Sequence, residues 1–223
     1  MDFVLAFKYV FKDEAWIKKL AIVALWGLIP GVGVLVLGGW GLKVGKMVID
    51  GHAENTLPKV EFGADLRLGI LASLIDLIYA LPAVIFITTA YNLVKFGFYF
   101  EGIAREILFV IGGLFGLVGL LLWILWFLIA TPAFANFLAK DSFGAAFNLR
   151  ELIGLLKNSF ISWLMVILGQ ILAMMIIAPL GLLLFGIGIL FTTAYAGVLY
   201  AHLLGQAYQQ SVAAGGDRSA VES

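Results

Sequence analysis

A chain of 223 residues that is 63% hydrophobic and 13% charged carries more apolar surface than a soluble domain buries, since such domains are about 45–50% apolar. Its 14 basic and 14 acidic residues balance, and they are not gathered into the cationic surface that nucleic acid requires. The absence of cysteine excludes disulfides, thiolate metal sites and cysteine nucleophiles.

The N-terminus lacks the short basic region and cleavage site of a secretory signal, so the first apolar segment is expected to be retained. Over residues 2–13, Phe3, Phe7, Val10 and Phe11 recur at helical spacing, with Lys8, Lys12 and Asp13 elsewhere around the wheel. This pattern predicts a short interfacial amphipathic helix, and Trp16 with Lys18 and Lys19 marks the membrane boundary after it.

No charged residue occurs between Lys19 and Lys43, between Glu106 and Lys140, or between Lys157 and Asp217, and Asp76 alone interrupts the run from Arg67 to Lys95. A crossing of the hydrocarbon core, about 30 Å, needs about 20 apolar residues, so these runs are the membrane part. The stretch 16–49 is too long for one simple span and is broken by Ile29-Pro30-Gly31-Val32-Gly33, which predicts a hairpin. Its first arm is short, so the hairpin either spans or is re-entrant. Further spans are expected near 68–93, 107–130, 159–178 and 183–204. With the hairpin, 12 of the 14 Lys and Arg residues fall on one side and only Lys95 and Arg105 on the other, which places both termini in the cytoplasm. The fold class is thus an all-α integral membrane bundle of about six segments over 1–208, followed by a small, polar, disordered tail over 209–223.

Both ends of the chain open an amphipathic stretch on Ala-Phe, at Ala6-Phe7 and Ala146-Phe147, and each is followed by a Gly-rich hairpin, with Gly31–Leu35 matched by Phe185–Leu190. The two ends read as diverged copies flanking a central helix pair. Several stretches carry a family resemblance: Ala6-Phe7-Lys8-Tyr9 with Phe11-Lys12-Asp13 and Trp16; Leu28 to Gly33; Ile78-Tyr79-Ala80-Leu81-Pro82; Ala145-Ala146-Phe147 with Glu151; and Ala201 to Tyr208. In these the chain resembles, over nearly its whole length, the prokaryotic membrane family catalogued as domain of unknown function number four thousand and thirteen. Asp76 and the stretch around His52 look like departures from the pattern. The resemblance implies a multi-pass protein of a bacterial or archaeal cytoplasmic membrane, and brings no activity or catalytic residue with it.

Asp76 is the one acid deep inside a predicted span, where insertion costs about 2.5–3.5 kcal/mol, so it must face other helices. Ser73 and Tyr79 fall near the same helical face. Together they form a candidate intramembrane polar site, either for an ion or proton or as a structural hydrogen bond. His202 and Gln206 lie one turn apart near the end of the last span, and with His52 as the sole other histidine no protein-only metal site is expected. Gly197, Ala201 and Gly205 at four-residue spacing form a candidate helix-packing face, for use within the bundle or toward a partner. No hydrolase or phosphate-loop motif is present, and neither catalysis nor a cofactor is expected. The expected partners are membrane lipids and other membrane subunits or a second copy, not nucleic acid. The leading reading is an accessory or scaffolding subunit, the alternative a small transporter or lipid-handling protein.

Overall fold

The computed structural model describes residues 1–52, 56–183 and 188–221, and every regular element among them is helical. The chain divides into two compact units. One joins both ends of the chain, Met1–Ile75 with Thr131–Ser223, and the other is the central Asp76–Ala130.

The first unit begins with α1 (Phe3–Tyr9), whose N-cap Asp2 accepts the Leu5 amide at 2.8 Å and which tightens into a 3-10 turn over Val10–Lys12. Its apolar side is divided: Ala6, Tyr9 and Val10 are buried in the protein, while Val4, Phe7 and Phe11 stay exposed. Helix α2 (Trp16–Gly27) and helix α3 (Val32–Ile49) form the hairpin expected over 16–49. The reversal needs a backbone that L side chains avoid, φ +75° at Gly31, directly after Pro30 has removed a helix donor. Helix α3 ends in a Schellman-type cap, with the His52 amide bonded to the Met47 carbonyl across Gly51, again at φ +75°.

Helix α4 (Phe62–Gly97) starts in this unit and crosses α3 at Gly39 and Gly69. The approach leaves no room for a methyl group. A Cβ on Gly39 would fall 1.9 Å from the Asp65 carbonyl oxygen, and one on Gly69 would fall 1.9 Å from that of Leu35. Without a hydrophobic drive between helices in lipid, contact of this kind is what holds them.

After helix α5 (Ile103–Lys140) and a 3-10 turn at Phe143–Phe147 come α6 (Leu149–Asn158) and α7 (Phe160–Leu172). Asn148 caps α6 by accepting the Glu151 amide. Helix α7 widens into a π turn over Ala173–Ile177, and two short pieces follow, α8 (Ala178–Leu180) and a 3-10 turn at Gly181–Leu183. Helix α9 (Gly188–Val221) then returns through the unit. Its long contact with α3, joined by α1 and α2, encloses a core of Tyr9, Val10, Leu20, Val23, Trp40 and Val198. Of the Gly-rich stretch expected to match Gly31–Leu35, residues 185–187 lie outside the described residues.

The polar segment from 209 is not a disordered tail where it is described. Helix α9 continues through it, Ser211 is fully buried, and the Asn158 amide donates to the Ser211 carbonyl at 3.2 Å. Small side chains that read as disorder in composition here let α9 lie close against α6.

The second unit is an antiparallel hairpin, α4 from Asp76 and α5 up to Ala130. Phe86 and Phe115 stack at 5.3 Å, and Gly112 and Gly119 seat Val94 and Ile87. Among the described residues, five segments are long and apolar enough to cross a membrane: α3, α4, α5, Phe160–Leu183 and Gly188–Gly216. The sixth expected segment corresponds to α2, whose 12 residues reach about 18 Å at helical rise.

Candidate functional site

Several ionisable groups of the first unit pair with one another between segments. Asp13, placed at the start of α2, is 4% exposed and accepts from the Ala15 amide at 2.7 Å, the Lys19 ammonium at 2.7 Å and the Leu57 amide at 2.6 Å. Burial pushes its carboxyl up, but the hydrogen bonds from Lys19, Leu57 and Ala15 and the charge of Lys19 outweigh that and hold it below the usual range. Beside it the Tyr9 hydroxyl donates to the Thr56 carbonyl at 2.9 Å, and burial, with Asp13 nearby, raises its pKa to about 12. With Trp40 donating to the Pro58 carbonyl at 3.2 Å, these contacts pin the loop after α3.

Along α3, Lys43 pairs with the fully buried Asp65 at 2.5 Å and with Glu61 at 3.2 Å, both at the start of α4. One turn later Lys46 reaches Asp141 at 2.7 Å. At the end of α5, Lys140 and the Asn136 amide both donate to the Glu151 carboxylate, at 2.6 and 2.9 Å. Those two hydrogen bonds lower the Glu151 pKa. Glu151 and Lys140 border a cleft of about 230 Å³ that is also lined by Asn158, Tyr208 and Ser211.

His202 is 1% exposed on α9, its ring 4.7 Å from that of Tyr9. Gln206 accepts the Asp2 amide through Oε1 at 2.6 Å, which orients its nitrogen toward the Asp2 carbonyl and His202 Nδ1 at 3.1 and 3.0 Å. Nδ1 is therefore the acceptor and Nε2 carries the proton. The imidazole thus ties α9 to the N-terminal segment, and no group of three His, Cys, Asp or Glu suited to a metal ion occurs among the described residues.

Of the residues proposed for an intramembrane site, Ser73 is exposed, and Asp76 and Tyr79 are half-buried on α4. The partner of Asp76 is a residue the sequence did not indicate: Trp126 of α5, whose indole N–H donates to Oδ1 at 3.1 Å. An aromatic residue inside an apolar run carries no signal that it faces an acid 50 positions earlier. Gly197, Ala201 and Gly205 lie against α3. Gly41 adjoins Gly197, Gly45 adjoins Ala201, and a Cβ on Gly205 would meet Val48 Cβ at 2.5 Å. That face is occupied within the chain.

No curated protein and no solved structure matches this sequence. Residues 22–185 match the family described as Protein of unknown function (DUF4013), a stretch that includes the Leu28–Gly33 and Ile78–Pro82 motifs but ends before Ala201–Tyr208. With well over half of its length matched, this chain belongs to that family.

Proposed function

We propose that the chain is a non-enzymatic, multi-pass protein of a prokaryotic cytoplasmic membrane that serves as an accessory or scaffolding subunit, with the α4–α5 hairpin as its surface for other membrane chains. The observation behind this reading is the imbalance of burial. In the most apolar windows of α4 and α5 only 17% and 11% of residues are buried, against 56% in α3 and in α9. The small-residue row on α9 is used internally, so a partner would meet the central hairpin instead. A transporter needs polar groups strung along a path through its spans. Within the apolar run of the central hairpin the one charged group, Asp76, is already bonded to an indole, and Thr88 and Asn92 donate back to carbonyls of their own helix.

Photo-crosslinking side chains at the exposed Val84, Leu114 and Leu121, followed by purification in mild detergent, test this reading. Discrete protein adducts and co-purifying chains are the expected result. A lone monomer with lipid adducts only would remove the subunit reading. The polar cleft at Lys140, Glu151 and Tyr208 favours the second reading, transport or lipid handling, because a zwitterionic headgroup entering it could exchange its own charges with the Lys140–Glu151 ion pair. Headgroup-dependent transfer by the purified protein in liposomes would support that alternative.

A further inference from the structure

We propose that the α2–α3 hairpin is re-entrant: its tip, residues 28–31, ends among lipid acyl chains and turns back without reaching the far surface of the bilayer. The inference rests on the membrane reading above and is independent of the subunit role.

Two ion pairs mark where the hairpin meets water. Lys19 of α2 is held by Asp13, and Lys43 of α3 by Asp65. Because both ammonium groups are tied to carboxylates, neither is free to stretch along its helix toward distant headgroups. From Lys43 back to Gly31 is about 12 residues and from Lys19 to Leu28 about 9, which reach about 18 and 14 Å at helical rise. The hydrocarbon core is about 30 Å thick, so both arms stop near its middle. Helix α3 satisfies the length of a span only by including Lys43 and Lys46; its uncharged part, Val32–Leu42, reaches about 16 Å. A ring contact agrees with a shallow tip. Trp26, in the last turn of α2, packs on Phe62, the first residue of α4 and three positions before the ion-paired Asp65, with centroids 4.5 Å apart.

The tip itself is built for a nonpolar medium. Leu25, Leu28, Ile29, Val32 and Val34 are all exposed, and no charged residue lies anywhere between Lys19 and Lys43. In hydrocarbon every backbone polar group must be satisfied internally. Here the amide of Leu28 donates to the Leu25 carbonyl at 3.2 Å, Ile29 to Trp26 at 3.0 Å, Val32 to Pro30 at 2.9 Å and Gly33 to Ile29 at 2.8 Å. Pro30 has no N–H, which leaves Gly31 as the single tip residue whose amide donor is unspent. What separates this tip from a turn that emerges into water is the reach of the helices before it and the placing of charge. The α4–α5 turn shows the contrast: it follows about 28 residues of helix from Arg67, about 42 Å, and is flanked by Lys95, Glu101, Arg105 and Glu106.

Because the natural chain has no cysteine, single substitutions in the full-length protein report without background. Ile29→Cys and Leu28→Cys are compared with Gly51→Cys and Gly102→Cys, using a membrane-impermeant maleimide on intact cells and on inverted vesicles. Gly51 and Gly102 should be modified from opposite sides. Both tip cysteines should react at least about tenfold more slowly than either reference from both sides, and should react once detergent is added. A bimane at Ile29→Cys should be quenched more by lipids brominated at mid-chain than near the headgroup. Modification of a tip cysteine from the Gly102 side at a rate near that of Gly102→Cys would overturn the proposal, because the hairpin then spans. Modification from the Gly51 side at a rate near that of Gly51→Cys would overturn it equally, because the hairpin then lies in water. Should Gly51 and Gly102 react from the same side, the membrane-crossing reading of α4 and α5 fails, whereas quenching at the tip still decides whether the hairpin enters lipid.

Discussion

Asp13 concentrates the ties of three segments on one carboxylate. It ends the N-terminal helix, opens α2 and holds Leu57 in the loop after α3. Its folded pKa lies below the unfolded value, so its contribution is complete above about pH 4 and is lost as pH falls through the lower, folded value. Asp13→Asn should therefore melt earlier than wild type at pH 7, by about 3 kcal/mol for a broken buried pair, and the gap should close as the pH falls below about 4. Thermal unfolding in detergent across that range checks it; a gap that does not change with pH would show that the ionised carboxylate is not what matters. Asp76 makes a different prediction, since its partner is a neutral donor. An amide oxygen can accept from the Trp126 indole as well as a carboxylate oxygen does, so Asp76→Asn should accumulate and fold normally, whereas Asp76→Lys replaces the acceptor by a cation and should fail to accumulate. Membrane abundance of the two variants decides this, and an Asp76→Asn protein that is abundant but inactive would point to a working ion site. The sequence singled out Asp76 by its isolation in an apolar run. It did not single out Asp13, which reads there as one more polar residue on the wet side of an amphipathic helix.

Glycines act differently from one helix to the next, and their spacing does not reveal which of them are essential. The row Gly197, Ala201, Gly205 was legible at four-residue intervals, but whether it served this chain or a partner depended on where α3 lay. Gly39 belongs to no such pair, yet it sits where α3 touches the backbone of α4. Gly39→Ala should cost about 3 kcal/mol or more, because the obstacle is a backbone carbonyl that cannot rotate away. Gly197→Ala should be nearly silent, since nothing lies within 4 Å of the added carbon. Equal loss of folded protein in the two variants would contradict this reading of the crossing. At the same scale, Pro30 and Gly31 were readable as a reversal because each acts through its own backbone. The continuation of α9 past residue 209 was not, because small polar residues become helical there through packing on α6 rather than through their own preference.

At the scale of the molecule, both ends of the chain belong to one compact unit and the middle of the chain, Asp76–Ala130, forms another. The even balance of charge concealed a second order. Lys19 of α2, Lys43 and Lys46 of α3 and Lys140 of α5 are each matched by a carboxylate from another segment, a pairing that a count of charges along the chain cannot reveal. The division of 12 basic residues from Lys95 and Arg105 makes a topological prediction: a reporter active only in the cytoplasm should work when fused after Ser142 or Ser223 and be silent after Gly102. Activity after Gly102 with silence after Ser142 would invert the assignment.

The pairing of α3 with later segments also sets a timetable for synthesis. Lys46 leaves the ribosome 95 residues ahead of Asp141, the carboxylate that binds it at 2.7 Å. At elongation rates of about 5–20 residues per second, the gap is about 5–20 s. Through that interval the newborn hairpin holds a lysine whose acid from the end of α5 does not yet exist. A chain arrested before residue 141 would hold Lys46 against Asp50 alone, one turn away on the same segment, so the contact that fastens α3 to the end of α5 is also the record that α5 has been completed.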